Sequence, residues 1–214
     1  MKYRTVKRTA AFLLACLMWG TLFISAASAD TEMRRTVIGA DLTEEQIADA
    51  VSAIAAKIDA DSRESERDLL LLGILKGSVV FMGDLMKKLK TPVEIDFMKV
   101  SSYGSSTVSS GKINILLDLH RKDLSDKDII IVEDIIDSGR TLSYLLKYLE
   151  IAGAGSVKTC TLLDKPSRRS VEFIPDYTGF TIPDEFVVGY GLDYNEHYRS
   201  LPYIGVLKPG VWKN

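Results

Sequence analysis

An α/β fold with a largely parallel sheet is predicted by three features of the sequence. Apolar runs of strand length alternate with amphipathic segments of helix length, the runs are apolar on consecutive positions rather than every second one, and no internal repeat or low-complexity stretch interrupts the alternation after residue 33. The first helix opens at Thr43, with Gln46 at the third helical position, the spacing of a capping box. Its apolar positions Ile47, Val51, Ile54 and Ile58 recur at helical intervals. Residues 69–75 form a continuous apolar run, as expected of a strand buried on both faces, and a helical segment at 79–89 follows. Residues 93–100 and 113–119 read as strands flanking a polar stretch from Ser101 to Lys112. Residues 128–132 are another buried strand, 141–151 a helix ending at Gly153, 157–163 a strand and 186–191 a last short one. Beyond Lys165 the chain is richer in Pro, Tyr and Asp and reads as a small cap.

The composition sets the class. With 214 residues, 46% hydrophobic and 26% charged, the chain holds one ordinary globular domain that needs no disulfide or structural metal. The net charge of −2 hides an asymmetry, because residues 1–29 carry Lys2, Arg4, Lys7 and Arg8 and no acid. Without them 23 basic residues face 29 acidic ones, a balance of −6 that argues against a nucleic-acid binder. Cys16 lies in the apolar leader, so Cys160 is left alone in the body, where it fits inert core inside an apolar strand. His120 and His197 have no metal-ligand spacing and read as surface residues.

The leader differs from the body. Four basic residues precede an apolar run from Ala10 to Ala27, and Ala27-Ser28-Ala29 offers small residues for cleavage, the three parts of a secretory signal. The run is also long enough for an uncleaved anchor. Met33, just ahead of the first helix, offers a third reading, in which residues 1–32 reflect only the choice of start site. The body expected is 33–214.

The chemistry concentrates at residues 129–141, Ile-Ile-Ile-Val-Glu-Asp-Ile-Ile-Asp-Ser-Gly-Arg-Thr. Glu133 and Asp134 at a strand end can hold a sugar diol or, with water, a divalent cation. Asp137, Ser138, Gly139, Arg140 and Thr141 follow, with a glycine for close backbone approach, two hydroxyls and a helix start whose amides suit an anion. One ligand with a phosphate beside a diol satisfies both halves: a ribose 5-phosphate. A lone acidic pair would usually be a turn that caps a helix. The whole string is far more specific, and it lacks the spacing of a Walker A loop.

This string resembles the phosphoribosyl pyrophosphate signature of the type I phosphoribosyltransferases, and further segments extend the resemblance over nearly all of 33–214, toward the hypoxanthine-guanine members. The resemblance implies that Lys76 and Gly77, in Leu75-Lys76-Gly77-Ser78, form a pyrophosphate loop in which the peptide before the lysine can be cis. It implies that Ser102 and Tyr103 begin a mobile loop that closes over the site. Lys165 resembles the lysine that donates to a purine 6-oxo group, which disfavours adenine. Phe186 resembles the aromatic that stacks on the base, and Val187 the residue whose backbone reads its edge. Asp193, grouped with this pocket, resembles a second magnesium contact beside Glu133 and Asp134. Arg199 resembles the arginine that reaches the pyrophosphate.

The implied reaction is purine salvage: magnesium-bound phosphoribosyl pyrophosphate loses pyrophosphate as N9 of hypoxanthine or guanine attacks ribose C1′, with Asp137 handling the N7 proton. The implied cofactor is Mg2+ and the implied assembly a homodimer or homotetramer. The implied place is the cytoplasm, with export or membrane attachment only through the leader, and with a hood built from about 33–45 and 165–214. The competing expectation is a regulator of the same fold that senses nucleotides without turnover; retention of Asp137, Lys76 and Arg199 speaks against it.

Overall fold

The computed structural model describes residues 36–102, 113–121 and 123–212, so the leader, Met33 and Tyr103 lie outside the described residues. The elements in chain order are β1 (Val37–Leu42), α1 (Glu44–Asp61), β2 (Asp68–Ile74), α2 (Ser78–Lys88), β3 (Val93–Ser102), β4 (Ile113–Leu117), β5 (Lys127–Ile136), α3 (Arg140–Ile151) and β6 (Ser156–Asp164). A 3-10 turn (Pro166–Arg168), β7 (Tyr177–Thr181), β8 (Val187–Val188), β9 (Ile204–Leu207) and a short α4 (Pro209–Trp212) complete them. Contacts divide the chain into two compact units. Ala40–Val206 holds the main sheet, while the described residues of the other unit, 36–39 and 207–212, are joined by the Lys208 N–H donating to the Thr36 carbonyl at 3.0 Å.

The main sheet has six strands in the order β4-β3-β2-β5-β6-β7, parallel throughout except at the β3–β4 edge. Successive residues of a strand point to opposite faces, which explains the continuous apolar runs. In β2, Leu69 and Leu71 enter a core with Ile47, Val51, Ile54 and Ile58 of α1 and Phe81, Met82 and Leu85 of α2. Leu70, Leu72 and Ile74 enter the opposite core with Leu142, Leu145 and Leu149 of α3. Each such side chain stabilises the fold by about 1.5–3 kcal/mol on burial. The capping box forms: Thr43 Oγ1 accepts from the Gln46 N–H at 3.2 Å, and Gln46 Oε1 accepts from the Thr43 N–H at 2.9 Å.

The two largest boundary shifts from the sequence reading have physical reasons, and short elements appear that it did not contain. The strand expected at 128–132 continues to Ile136, because Glu133, Ile135 and Ile136 stay in register with Thr161, Leu163 and Asp164 of β6. The strand expected at 186–191 shrinks to Val187–Val188, because Gly189, Tyr190 and Gly191 take positive φ and turn the chain. β1, β7, β9 and α4 were not expected; β7 is a short edge strand, Tyr-Thr-Gly-Phe-Thr, whose partial exposure blurs any pattern.

Candidate active site

The carboxyl ends of β2, β5 and β6 carry the residues singled out by sequence, the place where α/β sheets bind ligands. β5 ends at Ile136, and Asp137, Ser138 and Gly139 turn the chain into α3. Gly139 sits at φ +77°, and a Cβ there would lie 2.9 Å from the Phe173 Cβ, so both its conformation and its surroundings require glycine. A cavity of about 130 Å³ is lined by Glu133, Asp137, Ser138, Gly139 and Thr141. The first N–H groups of a helix have no intrahelical partners and carry its positive end, so α3 points a ready anion site at this cavity. Ser138 is fixed on both sides: its Oγ accepts from the Arg140 N–H at 3.3 Å and its carbonyl from the Ser170 N–H at 3.1 Å. The Arg140 side chain is exposed and turns to the Ser170 hydroxyl at 2.8 Å.

The two acids at the end of β5 are in a different state. Glu133 Oε2 is buried without a hydrogen-bond partner, and burial, then the neighbouring Asp134, pushes its carboxyl well above the usual range. Burial also lifts Asp134 to about 6, even though the Ile135 N–H donates to it at 3.0 Å and the Arg199 charge favours ionisation. Asp134 closes on the end of β2: a Cβ on Gly77 would lie 1.6 Å from its Oδ2. The Leu75–Lys76 peptide is cis.

On the other side of the loop, the Lys165 side chain is only 8% exposed. Its Nζ donates to the Glu185 carbonyl at 2.6 Å and stands 3.7 Å from Asp137 Oδ1, an ion-pair rather than a hydrogen-bond distance. That Oδ1 is itself buried with no hydrogen-bond partner. Through the Glu185 carbonyl, Lys165 is tied to the segment that carries Phe186, whose ring meets Tyr194 edge-on at 5.6 Å and 89°. Val187 is buried and faces Val206 in the β8–β9 pair.

Asp193 and Arg199 come together, with Arg199 Nη2 at 2.7 Å from Asp193 Oδ1 and its Nη1 donating to the Gly191 carbonyl at 2.7 Å. This segment packs on the β2 end, since a Cβ on Gly191 would lie 2.1 Å from the Gly77 carbonyl oxygen. The structure adds Glu196, which the sequence reading missed. It pairs with Lys76 Nζ at 2.9 Å and Arg199 Nη2 at 3.3 Å, and its N–H donates to Asp193 Oδ2 at 2.8 Å. Arg169 was also missed. It pairs with Asp164 and donates to the carbonyls of Asp137 at 2.6 Å, Phe173 at 3.1 Å and Ile136 at 3.3 Å. Glu196 offered one faint signal, its spacing of three from both Asp193 and Arg199. Arg169 offered none, because its acceptors are mostly backbone carbonyls.

Glu133, Asp134 and Asp193 were expected to contact magnesium. Among the described residues, however, no three His, Cys, Asp or Glu side chains converge as an ion cage. Both Asp193 oxygens are engaged, by Arg199 and by the Glu196 amide. The donors still fit magnesium, a hard cation that takes one or two carboxylates together with water and substrate oxygens, and Glu133 Oε2 is an orphaned acceptor of that kind. Ser102 ends β3 opposite Ile113, and Tyr103 lies outside the described residues. His120 and His197 are exposed, and the fully buried Cys160 thiol is pushed far up, as expected of inert core.

Comparison with known proteins identifies the family. A family model described as a phosphoribosyl transferase domain matches residues 40–195. The chain is 50% identical over 173 residues to a hypoxanthine-guanine phosphoribosyltransferase of Bacillus subtilis (strain 168), covering 81% of this chain and 94% of that one. It is 47% identical over 185 residues to a bifunctional TilS/HprT protein of Listeria monocytogenes serotype 4b (strain F2365), of which it spans 28% while 86% of this chain is covered. A crystal structure of a Staphylococcus aureus hypoxanthine phosphoribosyltransferase superposes with a TM-score of 0.80 at 45% identity, covering 85% of this chain and 97% of that one.

Proposed function

This chain belongs to the phosphoribosyltransferase family, on its hypoxanthine-guanine branch, and from that we propose that it salvages purines by transferring the 5-phosphoribosyl group of phosphoribosyl pyrophosphate to N9 of hypoxanthine and of guanine, releasing pyrophosphate. The observation that carries the choice of base is Lys165. Its buried ammonium stands between the Glu185 carbonyl and the unpartnered Asp137 Oδ1, beside the Phe186 segment. An ammonium only donates, so it favours a 6-oxo over a 6-amino purine.

The roles follow from position. The α3 amides, Ser138, Gly139, Arg140 and Thr141 hold the 5-phosphate in the cavity at the end of β5. Glu133 and Asp134 orient the ribose hydroxyls, and their raised carboxyls are groups that gain from a nearby cation. Asp137 Oδ1 is the proton acceptor for purine N7, worth about 10²–10⁴ in rate. The Lys76–Gly77 backbone and Arg199 stabilise the departing pyrophosphate, and Phe186 and Val187 frame the base. Glu133, Asp134 and Asp193 are the residues that would hold Mg2+, which when bound neutralises charge on the leaving pyrophosphate. Ser102 and Tyr103 are assigned a part in excluding water during reaction.

We place the reaction in the cytoplasm, where purines and the sugar donor meet; among the described residues no helix is long and apolar enough to cross a membrane. Homodimeric or homotetrameric assembly, and a hood made from about 33–45 and 165–214, belong to the same reading. The test is a purine panel with magnesium and phosphoribosyl pyrophosphate. Formation of inosine and guanosine monophosphates with little product from adenine is expected, and no nucleotide from either 6-oxopurine overturns the reading.

A further inference from the structure

Four charged side chains meet where the β2 end packs against the 191–199 segment. Lys76 and Arg199 bring two positive charges, Asp193 and Glu196 two negative ones, and every member is paired within the group. The cluster is therefore neutral as it stands. A pyrophosphate brought to it would face two carboxylates as well as two cations, and like charges at this range disfavour binding. Arg199 is also incompletely satisfied, because its Nε is buried without a hydrogen-bond partner.

The two acids are not equivalent. Asp193 is only 29% exposed, and it is held by the Arg199 guanidinium at one oxygen and the Glu196 amide at the other. The Glu196 side chain is 64% exposed and its Lys76 partner 51%, so both can swing at little cost in buried contacts. Glu196 spans the two cations, Oε1 to Lys76 and Oε2 to Arg199, with two oxygens of one carboxylate. A pyrophosphate oxygen pair would make the same bridge. The backbone that presents it is unusual, since Asn195, Glu196 and Tyr198 all take positive φ, a conformation uncommon for residues other than glycine and asparagine.

We infer that Glu196 is a resident counter-anion that bridges Lys76 and Arg199 as a pyrophosphate would, and that it must be displaced when pyrophosphate, free or as part of the sugar donor, binds those two residues. Glu196 thus weakens the grip on pyrophosphate and favours its release as product. It touches no reacting atom and acts through Lys76 and Arg199, so it is a positioning residue. The inference rests on the function proposed above.

The test measures binding of magnesium pyrophosphate by titration calorimetry at constant ionic strength, on the full chain. Glu196→Gln removes the charge and keeps the length. Glu196→Asn removes it with a residue that tolerates positive φ, in case the first variant disturbs the turn. Glu66→Gln, at the opposite end of β2, removes an equal exposed charge away from the cluster. Because exposed pairs are individually weak, both Glu196 variants are expected to bind pyrophosphate about 3- to 10-fold more tightly, with Glu66→Gln within about 2-fold of wild type. In the transfer reaction the Glu196 variants should show a lower KM for the sugar donor and stronger product inhibition by pyrophosphate, without a rise in kcat. Unchanged or weaker pyrophosphate binding in the Glu196 variants overturns the inference. Failure of the wild-type protein to bind pyrophosphate at all overturns instead the reading on which it rests.

Discussion

The two ends of β5 are built from the same kinds of residue and treated in opposite ways. At its start, Lys127 reaches Asp68 at 2.7 Å, Asp126 at 3.0 Å and Glu94 at 3.2 Å. Asp128 beside it accepts from Ser156 at 2.6 Å, from Arg67 at 2.7 Å and from Ser65. Burial pushes the Asp128 carboxyl up, but these donors together hold it below the usual range. At the other end of the strand, Glu133 keeps an orphaned oxygen, and both it and Asp134 are held above the usual range. At one end every charge is ion-paired within the chain, although Glu94 Oε2 and Arg121 Nε at its margin make no hydrogen bond. The other leaves charges for something that is not part of the chain. A cluster of ionisable groups is thus informative only through its satisfaction: the satisfied one serves the fold, the unsatisfied one the ligand.

The largest effects should come from the unsatisfied end. Asp137→Asn removes the proton-accepting carboxylate beside Lys165 and leaves the loop backbone, gripped by Arg169, in place. Turnover is expected to fall about 10²- to 10⁴-fold while the dissociation constant for phosphoribosyl pyrophosphate stays near that of the wild type. Near-normal turnover would remove Asp137 from the chemistry. Gly77→Ala should come next, because its methyl group would collide with Asp134 and force apart the ends of β2 and β5. A displacement of about 1 Å there is worth about 10²-fold in kcat/KM. Activity within a few-fold of wild type would mean that the contact between Gly77 and Asp134 is not needed for catalysis.

The contrast also marks what could be read in the sequence. The main sheet was legible because strands buried on both faces are continuous apolar runs, and the 129–141 string was legible because its residues are consecutive. Glu133 and Asp134 were visible as acids, but their lack of partners was not, since satisfaction depends on which donors approach from other elements. Arg169 and Glu196 escaped for the same reason. Arg169 acts chiefly on carbonyls of Ile136, Asp137 and Phe173, and Glu196 on Lys76, 120 residues away. β7 was obscured by its partial exposure, and the shortened β8 by Gly189 and Gly191, whose dihedrals the pattern of apolar residues does not encode.

Breaking the satisfied end should give the reverse of the Asp137 result. Asp128→Ala leaves Arg67, Ser65 and Ser156 without their shared acceptor. Loss of that network is expected to cost about 1–3 kcal/mol of stability in denaturant unfolding, with kcat/KM of the remaining folded enzyme unchanged. A loss of activity without a loss of stability would mean that the start of β5 is coupled to the site, and the comparison between the two ends would fail.

The smallest effect has the more instructive sign. The Asp134 carboxyl titrates near 3.8 when unhindered and at about 6 in the folded protein, because burial outweighs the Ile135 amide and Arg199. Between those values the folded state therefore binds more protons than the unfolded one, so this group's contribution to stability falls as pH rises from about 4 to about 6 and stays low above. Asp134→Asn has no charge to bury. Without donor or metal it should be more stable than wild type at pH 8, by about 1–3 kcal/mol or roughly 2–8 °C in Tm, and the advantage should vanish below about pH 4. The same variant should bind phosphoribosyl pyrophosphate poorly, since the ionised group that costs stability is the one that serves the ligand. Calorimetric scans across this pH range decide the matter: a variant less stable than wild type at pH 8 would show that the chain does satisfy Asp134, and that the two ends of β5 differ less than their unpaired atoms imply.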